Sequence, residues 1–192
     1  MDASHPIHML LRYTAWANAR LYDALARLPE EGLHAPRPGR PAGVIGVLGH
    51  IHVVGRIWKG HLSGQPHGLR SRTPEQVASL AQLRSWQAEQ DQWYLGEAGR
   101  LSAAQLAQVV EFRFVDGGAG AMRRDAMLLH VANHATYHRG YVADMLYETG
   151  FRPPTMDLPV FVRDVEPPAA AAAEAAGAAD SLSGPVGGTL AP

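Results

Sequence analysis

The stretch His130-Val131-Ala132-Asn133-His134-Ala135-Thr136-Tyr137-His138-Arg139-Gly140 decides how this chain is read. It sets histidines four residues apart within a segment that reads as a single helix. On a helix, residues i and i+4 are neighbours, with Cβ atoms about 5–6 Å apart. Two imidazoles at that spacing can grip one metal ion, as the histidine pair of zinc-protease helices does. A metal site is therefore the first functional expectation.

The helix around this stretch is expected from about Gly120 to Thr149. It stops at Gly150, with Pro153-Pro154 beyond. On a wheel of 3.6 residues per turn, Met127, Leu128, Val131, Ala135, Val142, Met145 and Leu146 form one apolar stripe. His138 falls inside the stripe, His134 near its edge and His130 further out, because each four-residue step turns by roughly 40°. His134 and His138 are the pair placed for a buried ligand role. His130 reads as a group behind the site or on the surface.

Two histidines need a further donor. A second helix is expected from Val44 to Leu62, carrying His50, His52 and His61 on the stripe Val44, Val47, Leu48, Ile51, Trp58, Leu62. His50 flanks one edge of that stripe and His52 the other, so the wheel leaves the third ligand open between them. Gly49 and Gly55 in this helix each cost about 1 kcal/mol of helix propensity, and they read as a tight helix–helix contact. His5, His8, His34 and His67 fall at an end or in loops and receive no role.

The remaining segments place these two helices in a bundle. Residues 7–28 repeat apolar residues at three and four and end at Pro29, giving helix one. Residues 32–41 are rich in Pro, Gly and Arg and read as a loop. Thr73-Pro74-Glu75-Gln76 is a capping box with proline at the first helical position, so helix three is expected from there to about Glu97. A short helical turn is expected at Ser102. Residues 109–115 alternate and precede Asp116-Gly117-Gly118, a strand-and-turn signal for half of a small hairpin. Four long amphipathic helices with no sheet of consequence indicate an all-α four-helix bundle with a short β-hairpin before the last helix. The bundle is expected over residues 1–166. From Pro167 the composition turns to Ala, Gly, Pro and Ser with no large apolar face, so residues 167–192 read as a disordered tail.

Composition narrows the function. The chain has 192 residues, 46% hydrophobic, and a formal net charge of −1, which selects neither nucleic acid nor an anionic membrane. Arg70, Arg72, Arg123 and Arg124 are scattered or in short pairs, which disfavours a nucleic-acid surface. No apolar run approaches the ~20 residues needed to span a bilayer, and the first residues do not read as a signal peptide, so the cytoplasm is the expected location. There is no cysteine. Disulfides, thiolate ligands and a cysteine nucleophile are excluded, and any thiol chemistry needs a thiol from outside.

Several stretches resemble the DinB family of bacterial four-helix-bundle metalloproteins (the DinB/YfiT-like proteins). They are Tyr13-Thr-Ala-Trp16-Ala-Asn18, Leu48-Gly-His50-Ile with Trp58 further on, the His130–Gly140 stretch, and Gly150 with Asp157-Leu158-Pro159. The likeness covers about residues 7–162. It implies a metal triad of one histidine from helix two and two from helix four, carried over by motif to His50, His134 and His138. It also implies a non-sequential helix order and a homodimer. Gly140 is followed by Tyr141-Val142 where many members have Gln and a β-branched residue.

Three imidazoles on a divalent ion leave a coordination position open. Zinc, nickel and iron all accept such ligands. Two uses follow: a bound hydroxide for a hydrolase, or a bound thiolate attacking an electrophile. The resemblance favours the second, because characterised branches use low-molecular-weight thiols such as mycothiol and bacillithiol in transfer and isomerisation. The expectation is thus a metal-dependent, thiol-dependent S-transferase-like enzyme on a small-molecule substrate. The alternatives are a metal-dependent hydrolase and a non-catalytic, metal-stabilised stress-response dimer. Tyr137, Tyr141 and Asp144 read as surface or interface residues, Arg139 stands apart from them, and Trp16 and Trp58 read as core anchors.

Overall fold

The computed structural model describes residues 6–39 and 41–166. The chain divides into two units, Met1–Pro154 and Thr155–Pro192. The expected tail, residues 167–192, lies outside the described residues. In the second unit, helix α7 (Leu158–Val165) starts after Asp157, with proline in its first turn.

The first unit is built on four long helices: α1 (Pro6–Leu25), α3 (Gly43–Ser63), α4 (Leu80–Arg100) and α6 (Arg124–Tyr147). Between them lie the short helices α2 (Glu30–His34) and α5 (Ala103–Leu106), and the strands β1 (Val109–Arg113) and β2 (Ala119–Arg123). Helix α1 packs on α4 and α6, and α3 packs on the same two, so the rods close a ring in the order α1-α4-α3-α6. Neighbours in the ring are not neighbours in sequence. This is the expected all-α four-helix bundle with a two-stranded antiparallel hairpin ahead of its last helix.

Local chemistry sets most boundaries. Helix α1 tightens into i→i−3 bonds at Arg27 and Leu28 before Pro29, so its regular part ends at Leu25, three residues short of expectation. Part of the expected loop at 32–41 is helical, because one turn forms over Glu30–His34. Helix α3 ends at Gly64 in the left-handed conformation (φ 67°), with Gln65 N–H donating to the Gly60 carbonyl.

Two starts differ from expectation. Helix α4 begins at Leu80 rather than at Thr73. The working capping box is Ser79 with Gln82, in which each side chain receives a hydrogen bond from the other's backbone N–H. Leu80 and Leu83 behind it are buried, whereas Val77 is 65% exposed, so a helix through 74–79 would bury little. Helix α6 begins at Arg124 rather than near Gly120, because residues 119–123 pair with β1 in the register Phe112↔Gly120. A Cβ on Gly120 would stand 2.7 Å from the Phe112 ring, so only glycine fits that pairing. The turn at Ser102 forms as expected, with its own capping box to Gln105.

The glycines of α3 serve close contacts of two kinds. A Cβ on Gly55 would lie 2.0 Å from the Gln90 amide nitrogen, so this is the helix–helix contact foreseen. Gly49 instead meets a loop: its Cβ would stand 2.8 Å from Pro74.

A buried polar network ties three of the four rods. Arg139 on α6 is 2% exposed and donates to Asn18 Oδ1 on α1 (2.9 Å) and to Thr136 Oγ1 (2.8 Å). Asn18 donates in turn to Asp91 Oδ2 on α4 (2.9 Å), and Gln87 donates to the other carboxylate oxygen (2.9 Å). Burial pushes the Asp91 carboxyl up to about 6, against the opposing pull of these donors and of the Arg139 charge. Arg139 thus occupies the buried arc of α6 with Leu128, Ala132, Ala135 and Val142, while Val131 is only half-buried. Six of the seven expected stripe residues, all but Val131, are buried, and His138 sits half-buried at the margin of the stripe rather than inside it.

Arg139→Met keeps the length of the side chain but leaves the Asp91 carboxylate buried without its cation. It is expected to lower stability by on the order of 3 kcal/mol in urea denaturation at pH 7. Asp91→Asn, which removes the buried charge and keeps the shape, is expected to cost less.

Candidate metal centre

The packing of α3 against α6 brings three imidazoles to one place. His50 comes from α3, and His134 and His138 come from successive turns of α6. One ring nitrogen from each lies within 4.8 Å of the other two. The rings of His134 and His138 are 4.4 Å apart at their centroids, and His50 lies 5.0 Å and 4.6 Å from them. All three side chains are half-buried, with one side open to a cleft.

The tautomer of His50 follows from its neighbour. His50 Nδ1 is 2.8 Å from the Arg72 carbonyl oxygen. A carbonyl only accepts, so Nδ1 carries the proton and Nε2 presents its lone pair. His50 Nε2 stands 3.2 Å from His134 Nε2. Two nitrogens bound tetrahedrally to zinc at ~2.05 Å are roughly 3.3 Å apart, so the pair already has the separation of two ligands. The donor set is three neutral nitrogens with no carboxylate, which suits zinc, nickel or iron better than magnesium or calcium. These residues fit a divalent transition ion.

Electrostatics keep His134 uncharged. Burial, followed by the neighbouring His138, His50 and His130, lowers the His134 pKa to about 3. Burial also lowers His130. Lone pairs are therefore available at neutral pH without proton competition at His134.

Two further histidines stand outside the triad. His130 lies between Trp58 (4.7 Å between centroids) and His134 (5.6 Å), on the lining of the cleft that the triad shares. His52 faces away from it, stacked on Trp86 at 5.7 Å, and burial together with Arg56 and Lys59 lowers its pKa to about 4. The choice between His50 and His52 that the wheel left open is thus made by the geometry: His50 joins the pair on α6. His5 lies outside the described residues.

The triad lines a cleft of about 580 Å³. Its apolar wall includes Val54, Ile57, Trp58 and Phe114, and its polar groups include His61, Arg70 and Asp116. Trp58 is a core residue, 7% exposed, that also contributes to this wall, whereas Trp16 packs near Tyr13 and under Arg20. Tyr141 lies 5.7 Å from the His138 ring, and its hydroxyl is paired with that of Tyr137. Phe114, Asp116 and Arg70 carried no signal as cleft residues. They sit on a hairpin tip and a loop, and only tertiary folding brings them to the histidines.

The depressed His134 pKa makes stability depend on pH. An unfolded histidine takes a proton near 6.5, but the folded one does so only near 3. The unfolded state therefore binds more protons across that window, and stability falls as pH drops through it. Metal-free protein is expected to lose urea resistance between pH 7.5 and pH 5 in the presence of a chelator. His134→Gln is expected to flatten that loss.

Residues 2–168 match the DinB family. The chain is 27% identical over 146 residues to Protein DinB of Bacillus subtilis (strain 168), covering 74% of this chain and 85% of that protein. Its fold is similar to the crystal structure of a DinB-like protein from Bacillus cereus ATCC 10987, with a TM-score of 0.58 at 17% identity, covering 75% of this chain and 91% of the other. Four rods in a crossed ring, a histidine triad shared by α3 and α6, and a family match across the whole of this bundle lead to one assignment: the chain belongs to the DinB family.

Proposed function

We propose that this protein is a divalent-metal-dependent enzyme that joins a low-molecular-weight thiol to a small electrophile, an S-transferase-like activity. The observation that carries this reading is the convergence of His50, His134 and His138 on one point that opens to a cleft. A cation held there supplies Lewis acidity at an open position and acidifies a thiol or water bound to it.

The chain's own residues do the rest. The three imidazoles bind, and the Arg72 carbonyl holds His50 in the tautomer that exposes Nε2. Val54, Ile57, Trp58 and Phe114 exclude water from the cleft and suit an apolar electrophile. Arg70 offers a cation for an acidic group on either reactant. The chain contains no cysteine, so the thiol belongs to a small molecule. Homodimer assembly belongs to the same reading and rests on the family resemblance.

A hydrolase, with water in place of the thiol, uses the same donors. Asp116 on the cleft favours it, since a carboxylate there can take a proton from water.

Metal analysis of the purified protein is expected to find a bound divalent transition ion. His50→Gln, His134→Gln and His138→Gln are each expected to weaken its affinity by at least about 100-fold, beyond the usual loss for a supporting residue, with helicity by circular dichroism unchanged. Conjugation of a thiol to monobromobimane should rise with metal and fall in all three variants. Turnover of an ester substrate without any thiol would favour the hydrolase. Metal-dependent melting with no turnover of either kind would leave a metal-stabilised, non-catalytic dimer.

A further inference from the structure

Helix α3 carries a second set of polar groups on its other side. His52 is two residues from His50, about 200° further round the helix. It borders a separate groove of about 610 Å³ between α3 and α4. His52, Arg56, Lys59, Trp86, Gln90 and Trp93 line this groove. None of these six residues lines the histidine cleft.

Two features make this a built site rather than a dent. First, polar atoms beneath its lining are left unanswered by the fold. Gln90 is 4% exposed and His52 is 8% exposed, yet Gln90 Oε1 and His52 Nδ1 are buried without a hydrogen-bond partner. Such atoms are uncommon, because a buried acceptor without a donor loses its hydration and gains nothing in exchange. The Gln90 amide is held against the backbone of α3 at Gly55, where a Cβ would stand 2.0 Å from Nε2, so it has little freedom to turn away.

Second, the walls combine aromatic faces with cations. Trp86 and Trp93 are seven residues apart on α4, hence two turns apart along one face. Trp86 is 42% exposed and stacks on His52. The Lys59 ammonium lies 5.0 Å from the Trp93 ring centroid, and Arg56 is one turn back on α3. Glu89 is the carboxylate on this lining, set against these two cations.

We propose that this groove is a second small-molecule site, for a planar aromatic anion. The ring stacks on the exposed Trp86 face and the anionic group pairs with Arg56 and Lys59. The site is independent of the metal centre, so loss of either leaves the other intact.

Indole-3-carboxylate has both elements and serves as the probe. The protein has four tryptophans. In ¹⁵N-labelled full-length protein, titration is expected to shift the indole N–H resonances of Trp86 and Trp93 and to leave those of Trp16 and Trp58 in place. The Trp→Phe variants assign the four peaks. The dissociation constant is expected to rise by about tenfold or more for indole-3-carboxamide, which lacks the charge, and for the Arg56→Gln/Lys59→Gln protein. Adding a chelator is expected to change none of this.

No shift at millimolar probe would overturn the proposal. So would equal binding of the carboxamide, or a shift at Trp58, which would put the probe in the histidine cleft. Sedimentation of the same samples covers the remaining case. If the Trp86 and Trp93 peaks move with protein concentration as a dimer forms without ligand, the groove is a contact between copies and the proposal fails.

Discussion

A guanidinium taken out of water needs partners, and the demand that Arg139 places on its surroundings organises this bundle. It hydrogen-bonds Asn18 and Tyr13 on α1 and Thr136 on its own helix, and Asn18 passes the contact on to Asp91 on α4. These bonds fix the rotation of α6 about its own axis. Once Arg139 faces α1 and α4, the preceding residue points about 100° away. His138 therefore turns toward α3, and His134, one turn earlier, turns with it. The network on one side of α6 orients the imidazoles on the other.

Helix α3 meets those imidazoles with a single histidine, and the backbone completes the arrangement. The loop after α3 returns along the cleft and places the Arg72 carbonyl against His50 Nδ1. An interaction with the main chain does not depend on which side chain position 72 carries. It selects the tautomer and leaves Nε2 facing His134. Burial contributes in the same direction by keeping His134 neutral. Orientation, tautomer and charge state thus agree at one point, although they arise from three different parts of the fold.

The two faces of α3 divide the molecule's polar surface into separate environments. His50 looks into a cleft with an apolar wall and a hairpin tip. His52 looks into a groove bordered by tryptophans and cations. The small residue at Gly55 lets α4 approach closely, and Tyr94 fixes that approach by donating to the Gly55 carbonyl at 2.7 Å. The same close packing holds the Gln90 amide in the second groove.

What the amino-acid order determined by itself was local. The i, i+4 histidines, the period of the long helices, the turn at Asp116-Gly117-Gly118 and the family likeness were all legible, because each depends on residues within a few turns of one another. Tertiary structure decided the rest. Residues 119–123 became a strand because β1 was there to pair with them and Phe112 required a glycine opposite. Of two adjacent capping boxes, Ser79 rather than Thr73 started α4, because only the residues behind Ser79 had a core to enter. The apolar stripe of α6 was legible except at Val131, but the burial of Arg139 beside it was not, because a hydrophobic wheel scores arginine as a surface residue, whereas Asn18, more than a hundred positions earlier in the chain, makes its burial favourable. The convergence of His50 with His134 and His138 is likewise a fact about which rods touch. Helical periodicity places a side chain on a face, and only the packing of α3 on α6 says what that face meets.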